Sequence, residues 1–168
     1  MRRIILPILG AVALLILAAQ PAFAVSPHFI NASASLSGTN LVVSWKEAGL
    51  GNNQLINYTA SATATATYVC VNRGGANPSA ANKTTVTAPV SATGTFNSGK
   101  NGQVTASLTI PPPGPGSFTC PPGQSRELAS ATYSNAAITD TTNNVTESIQ
   151  GGPFSTGCLL PDVRGACS

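Results

Sequence analysis

The chain is poor in nearly every residue that chemistry usually needs. It has one histidine, one methionine, one tryptophan and only five acidic residues in 168, and charged residues make up 8% of it. Nucleophilic catalysis of the Ser-His-Asp kind needs a base beside the nucleophile. The single His28 lies four residues after the expected start of the mature chain, where termini are commonly loose, and no Gly-x-Ser-x-Gly elbow accompanies it. Paired-carboxylate chemistry needs two acids in one cleft, and the five acids are scattered. Glu47, beside Lys46 at a strand end, reads as part of a solvated rim. Asp140 with Asn143 and Asn144 reads as hairpin-turn chemistry. There is no Asp-x-Asp run for calcium and no phosphate-cradling loop before a helix. The sequence therefore gives no reason to expect an enzyme, a metal or a cofactor.

Charge of one sign is missing as well. Arg2 and Arg3 account for much of the formal net charge of +3. Without them Lys46, Arg73, Lys83, Lys100, Arg126 and Arg164 nearly balance Glu47, Glu127, Asp140, Glu147 and Asp162. Scattered, balanced charge leaves no footprint for nucleic acid or an anionic membrane. No helical period of useful length follows the first two dozen residues.

What is present begins with an export signal. Arg2 and Arg3, the apolar run Ile4 to Ala19 and the small-residue site Ala22-Phe23-Ala24 have the order of a secretory signal peptide. The apolar run is short for a membrane span, so no membrane anchor is expected in the mature chain. Residues 1–24 are expected to be removed, 25–150 to form one β-domain and 151–168 a tail. The expected location is extracellular, with periplasm or cell surface as variants.

The strand signal is strongest from Ile56 to Val71. Ile56, Tyr58, Ala60, Ala62, Ala64, Ala66, Tyr68 and Cys70 alternate with Asn57, Thr59, Ser61, Thr63, Thr65, Thr67 and Val69. Period-two alternation rich in β-branched residues is a strand. Asn40 to Glu47, with Leu41, Val43 and Trp45 on one face, and Val104 to Ile110 repeat the pattern. Further candidates are 29–36, 84–88, 90–96, 126–134, 137–141 and 145–149. Turn residues separate them at 37–40, 49–53, 72–78, 97–102 and 143–144. Many short strands without helices predict an all-β fold, an antiparallel immunoglobulin-like sandwich of about seven to nine strands, with a small barrel as the alternative. The Ala-rich inner face of 56–70 cannot fill an inter-sheet gap of about 10 Å alone. Trp45, Leu41, Leu108 and Ile110 are expected to reach across to it.

Cys70, Cys120, Cys158 and Cys167 in an exported chain predict two disulfides with three possible connectivities. Local closure favours Cys70–Cys120 with Cys158–Cys167. Two surface features remain. The loop of Asn72, Arg73, Gly74, Gly75, Asn77, Pro78 and Lys83 leaves a rigid strand beside a cysteine, the kind of place where binding residues sit. The row Thr63, Thr65, Thr67 could order water, ice or a glycan, although Thr on an exposed strand ordinarily reports β-propensity. Sequons at Asn31, Asn57, Asn82 and Asn144 are no more than this Ser/Thr content produces by chance.

The block Ala64 to Asn72, followed by Gly74-Gly75, Asn77-Pro78-Ser79-Ala80 and Asn82-Lys83, resembles a group of small secreted bacterial proteins without an assigned activity. The likeness runs from about Pro27 to Ile149 and includes Cys120-Pro121-Pro122-Gly123-Gln124 and Thr132-Tyr133-Ser134-Asn135; the tail cysteines lie outside it. It implies secretion and a single β-domain, and no catalytic residues. The hairpin Asn101 to Ile110 is similar, more faintly, to neocarzinostatin-type chromoprotein carriers, which implies an immunoglobulin-like fold. The expected function is a secreted, non-catalytic β-sandwich acting by surface contact in an envelope, matrix or adhesive role. Its partner would be an extracellular protein, glycan or small molecule. The alternatives are an extracellular carrier with an apolar cleft lined by Tyr58, Tyr68 or Phe96 and, third, a secreted enzyme.

Overall fold

The computed structural model describes residues 26–72 and 80–167; the signal-peptide segment and most of the candidate binding loop (Arg73, Gly74, Gly75, Asn77 and Pro78) lie outside the described residues. The chain is all-β, with no helix among the described residues. The described residues form eight strands, β1 (His28–Ser37), β2 (Asn40–Ala48), β3 (Leu55–Asn72), β4 (Ala80–Asn97), β5 (Val104–Ile110), β6 (Gln124–Asp140), β7 (Val145–Ser148) and β8 (Phe154–Ser155). They form two antiparallel sheets. One has the order β1-β2-β5, and the other has the order β4-β3-β6-β7 with β8 added to β6.

Alternation places Leu41, Val43 and Trp45 of β2 and Ile110 of β5 inside, against Ile56, Tyr58, Ala60, Ala62 and Ala64 of β3. The alanines leave room for large rings from elsewhere. Trp45 lies 4.8 Å from Tyr58 and 5.5 Å from Phe96, ring centre to ring centre. Each such pair adds about 0.5–1.5 kcal/mol beyond the area it buries. Phe96 fits because residue 94 is glycine: a Cβ there would stand 2.9 Å from the Phe96 ring. Tyr133 of β6 crosses the core and donates its hydroxyl hydrogen to the Thr39 carbonyl at 2.8 Å, which pins the β1–β2 turn. Burial pushes its phenol up to about 12.

Two expected breaks are absent. Segments 84–88 and 90–96 are one strand through Pro89, because β4 is a sheet edge and a missing N–H there need not interrupt a ladder. Segments 126–134 and 137–141 are likewise one strand, β6, with a bulge opposite Ser61 and Thr63. Asn135 occupies it at φ 51°, a left-handed conformation that Asn tolerates better than most residues. One extra residue reverses which side chains face inward. Before the bulge Ala131 and Tyr133 are buried; after it Ala136, Ile138 and Asp140 are.

The disulfides are Cys70–Cys120 and Cys158–Cys167. Such bridges are typical of oxidising compartments. The first ties the end of β3 to the proline-rich connection 111–123, onto which Tyr68 also donates a hydrogen bond, to Pro113 O at 2.8 Å. The segment after β8 follows the free edge of β6 through Thr156 N to Ala131 O and Leu159 N to Ala129 O. It then crosses to β4 through Ala80 N to Arg164 O. Leu160, Val163 and Ala166 cover Val69, Val71 and Ala129. This explains a departure from the alternation read in the sequence: Val69, expected on the outer face, is buried.

Candidate functional site

The outer face of the five-stranded sheet is a field of hydroxyls. Cross-strand register sets Thr67 between Thr85 and Ser130, and Thr65 between Thr87 and Thr132. Thr63 lies between Pro89 and Ser134, Ser61 between Ser91 and Ala137, and Thr59 between Thr93 and Thr139. Steps along a strand are about 6.6–6.8 Å and steps between strands about 4.8 Å. No charged side chain stands in these rows. Several hydroxyls bond their neighbours: Thr65 with Thr87 at 2.9 Å, Thr132 with Ser155 at 3.1 Å and Thr139 with Thr146 at 3.0 Å. A hydroxyl that donates one hydrogen bond still has acceptor lone pairs free for a ligand or water.

Two clefts interrupt this face, and both include the bulge residue Asn135. One, about 420 Å³, lies among Ser61, Thr63, Pro89 and Ser91. The other, about 460 Å³, lies among Ser134, Ala137, Ser148 and Gln150 with the turn Gly151-Gly152-Pro153. Bulges commonly re-aim a side chain next to a site, and here the exposed Asn135 is shared by the two clefts. Neither cleft has a charged residue in its lining.

Of the candidate binding loop, Asn72 is exposed at the end of β3 and Lys83 is exposed on β4, opposite Val69. His28 is exposed and bonds the Ser26 carbonyl through Nδ1 at 2.8 Å. Tyr58, Tyr68 and Phe96 do not converge. Tyr58 and Phe96 pack at one end with Trp45, whereas Tyr68 meets the proline-rich connection near Cys70.

Sequence reasoning misplaced one acid. Glu47 is not on a solvated rim; it is fully buried, on the same face of β2 as Trp45. Asp140 does cap its hairpin, with Oδ1 accepting from Thr142 N at 2.8 Å and Asn143 N at 2.9 Å and Oδ2 from Asn143 Nδ2 at 2.6 Å. It is also fully buried and stands opposite Tyr58 in the β3–β6 register. Glu47, Tyr58 and Asp140 are thus brought together across the two sheets. Burial, the main cause, pushes the Glu47 carboxyl up to about 7; Tyr58 opposes this and the Asp140 charge reinforces it. Burial also raises the Tyr58 phenol, and Glu47 raises it further. These groups couple electrostatically, yet both Glu47 oxygens, Tyr58 Oη and Trp45 Nε1 lack a partner in hydrogen-bonding geometry. The signal for this cluster was the alternation Leu41, Val43, Trp45, Glu47, which puts Glu47 on the core face.

No protein-family model, no curated protein and no solved structure matches this chain.

Proposed function

We propose that the protein is an exported, non-catalytic β-sandwich that acts by surface contact, through the outer face of its five-stranded sheet. In this reading residues 1–24 are the cleaved signal, and the three-strand and four-strand orders correspond to an immunoglobulin-like arrangement. The observation that carries the reading is the uncharged field of Thr and Ser centred on β3, with two clefts at Asn135 opening onto it. A neutral, rigid, hydroxyl-bearing surface suits a neutral, hydrogen-bonding partner such as a polysaccharide of an envelope or matrix. It loses little side-chain entropy on contact, because its short side chains are already held in the pleat. The carrier alternative has less in its favour, since Tyr58 and Phe96 pack into the core against Trp45.

The test is co-sedimentation of the mature chain with insoluble cellulose, chitin and a bacterial cell-wall preparation. The double variant Thr65→Lys/Thr87→Lys runs alongside, with its melting curve recorded. Binding to at least one matrix that falls tenfold or more in a folded double variant is expected. Absence of binding to all three, or binding indifferent to the added charges, would overturn the reading.

A further inference from the structure

We propose that the carboxyl of Glu47 is carried through the folded state as the neutral acid, and that this makes the Glu47 end of the sandwich a pH-sensitive latch. The geometry leaves few other states for the group. Glu47 has no exposed surface, no cation pairs with it among the described residues, and neither of its oxygens receives a hydrogen bond. A buried charge without partners is expensive, and such a group neutralises instead. Asp140, by contrast, accepts three N–H hydrogen bonds.

The groups that act on Glu47 come from every element around it. They are Tyr58 of β3 and Asp140 of β6, with His28 of β1 on the exposed side, while β5 presents the apolar Val104 in register with it. Burial dominates and holds the carboxyl at about 7. Two loops close this end. Leu50 N donates to Gly102 O at 3.1 Å, and the buried Ser98 hydroxyl accepts from Gln54 N at 2.9 Å and donates to Gly51 O at 2.7 Å. Loss of the proton would leave an unpartnered negative charge in a buried site, which the influence of Asp140 opposes further. Water must then enter to solvate it, and these loops are what must part.

The sign follows from linkage. The folded-state value lies above the ordinary value of 4.5, so the stabilisation is fully present below about 4.5 and is lost as pH rises through about 7. A shift from 4.5 to about 7 corresponds to a folding equilibrium constant about 300-fold smaller on the alkaline side.

Carboxyl carbon-13 NMR of glutamate-labelled mature protein, with Glu47→Gln assigning the resonance, tests the proposal. A Glu47 midpoint near 7 is expected, together with faster amide exchange at Leu50, Ser98 and Gln103 above it, after correction for the intrinsic pH dependence. The amides of Thr156 and Leu159 at the opposite edge should stay unchanged. A midpoint in the ordinary carboxylate range would overturn the neutral acid. A midpoint near 7 without selective loosening would overturn the latch. Should Glu47→Gln not fold, the titrating glutamate is assigned from the through-bond correlation to its own backbone in the unmodified protein.

Discussion

The outer face of the five-stranded sheet and the closed end around Glu47 are both built by placing polar side chains on β-strands, yet they obey opposite rules. On the outer face the hydroxyls bond one another or lie open to solvent, so Thr can repeat along β3, β4 and β6 at little cost. At the closed end Glu47, Tyr58 and Trp45 have buried polar atoms without a hydrogen-bond partner in the protein. An unsatisfied buried group costs about 1–3 kcal/mol. The contrast separates two placements of polarity in one two-sheet fold: hydroxyls on an open face, proposed above to meet a partner, and a buried carboxyl, proposed above to answer to pH. The same strand supplies both, since Tyr58 and Thr59 of β3 are adjacent residues pointing to opposite sides.

The comparison can be broken or sharpened by substitution. The largest effects belong to the frame that both regions share. Trp45→Ala should cost about 3–5 kcal/mol, read by urea denaturation with circular dichroism. Cys70→Ser should cost about 4 kcal/mol and Cys158→Ser about 2.5 kcal/mol on loop entropy alone; equal losses would show that coverage of Val69 and Val71 by the tail outweighs loop length. Next comes the closed end: Glu47→Gln should remove about 3 kcal/mol of pH dependence between pH 4.5 and 7, measured as unfolding free energy across that range. The bulge follows, where Asn135→Val should cost about 1–2 kcal/mol because a β-branched residue resists the left-handed conformation. Smallest is the outer face, where Thr65→Ala should shift stability by less than about 0.5 kcal/mol. A loss of several kcal/mol there would mean that the hydroxyl rows hold the sheet together instead of facing a partner.

Much of this frame was legible in residue order. The alternation from Ile56 to Ala66 names the core face of β3, and the expectation that Trp45, Leu41 and Ile110 reach across to it matches their burial. The disulfide pairing favoured by local closure is the one in the structure. What escaped depends on contacts distant in sequence. Pro89 and Asn135 read as breaks because nothing local tells an edge strand from a central one, or a bulge from a turn. Val69 read as exposed because the tail that covers it lies some ninety residues away in sequence. Glu47 read as a rim residue because the adjacent Lys46 suggested a solvated strand end. Its partner Asp140 faces inward only because the bulge at Asn135 reverses the alternation of β6. The loop at 73–79 and the exported start are readings that rest on sequence alone.

The most direct test of the account is the unfolding free energy of the β-domain with its tail (residues 25–168) at pH 5 and at pH 8, compared in one buffer system at fixed ionic strength. The account predicts a lower value at pH 8, with the difference abolished in Glu47→Gln. Equal stability at the two pH values, or greater stability at pH 8, would contradict it.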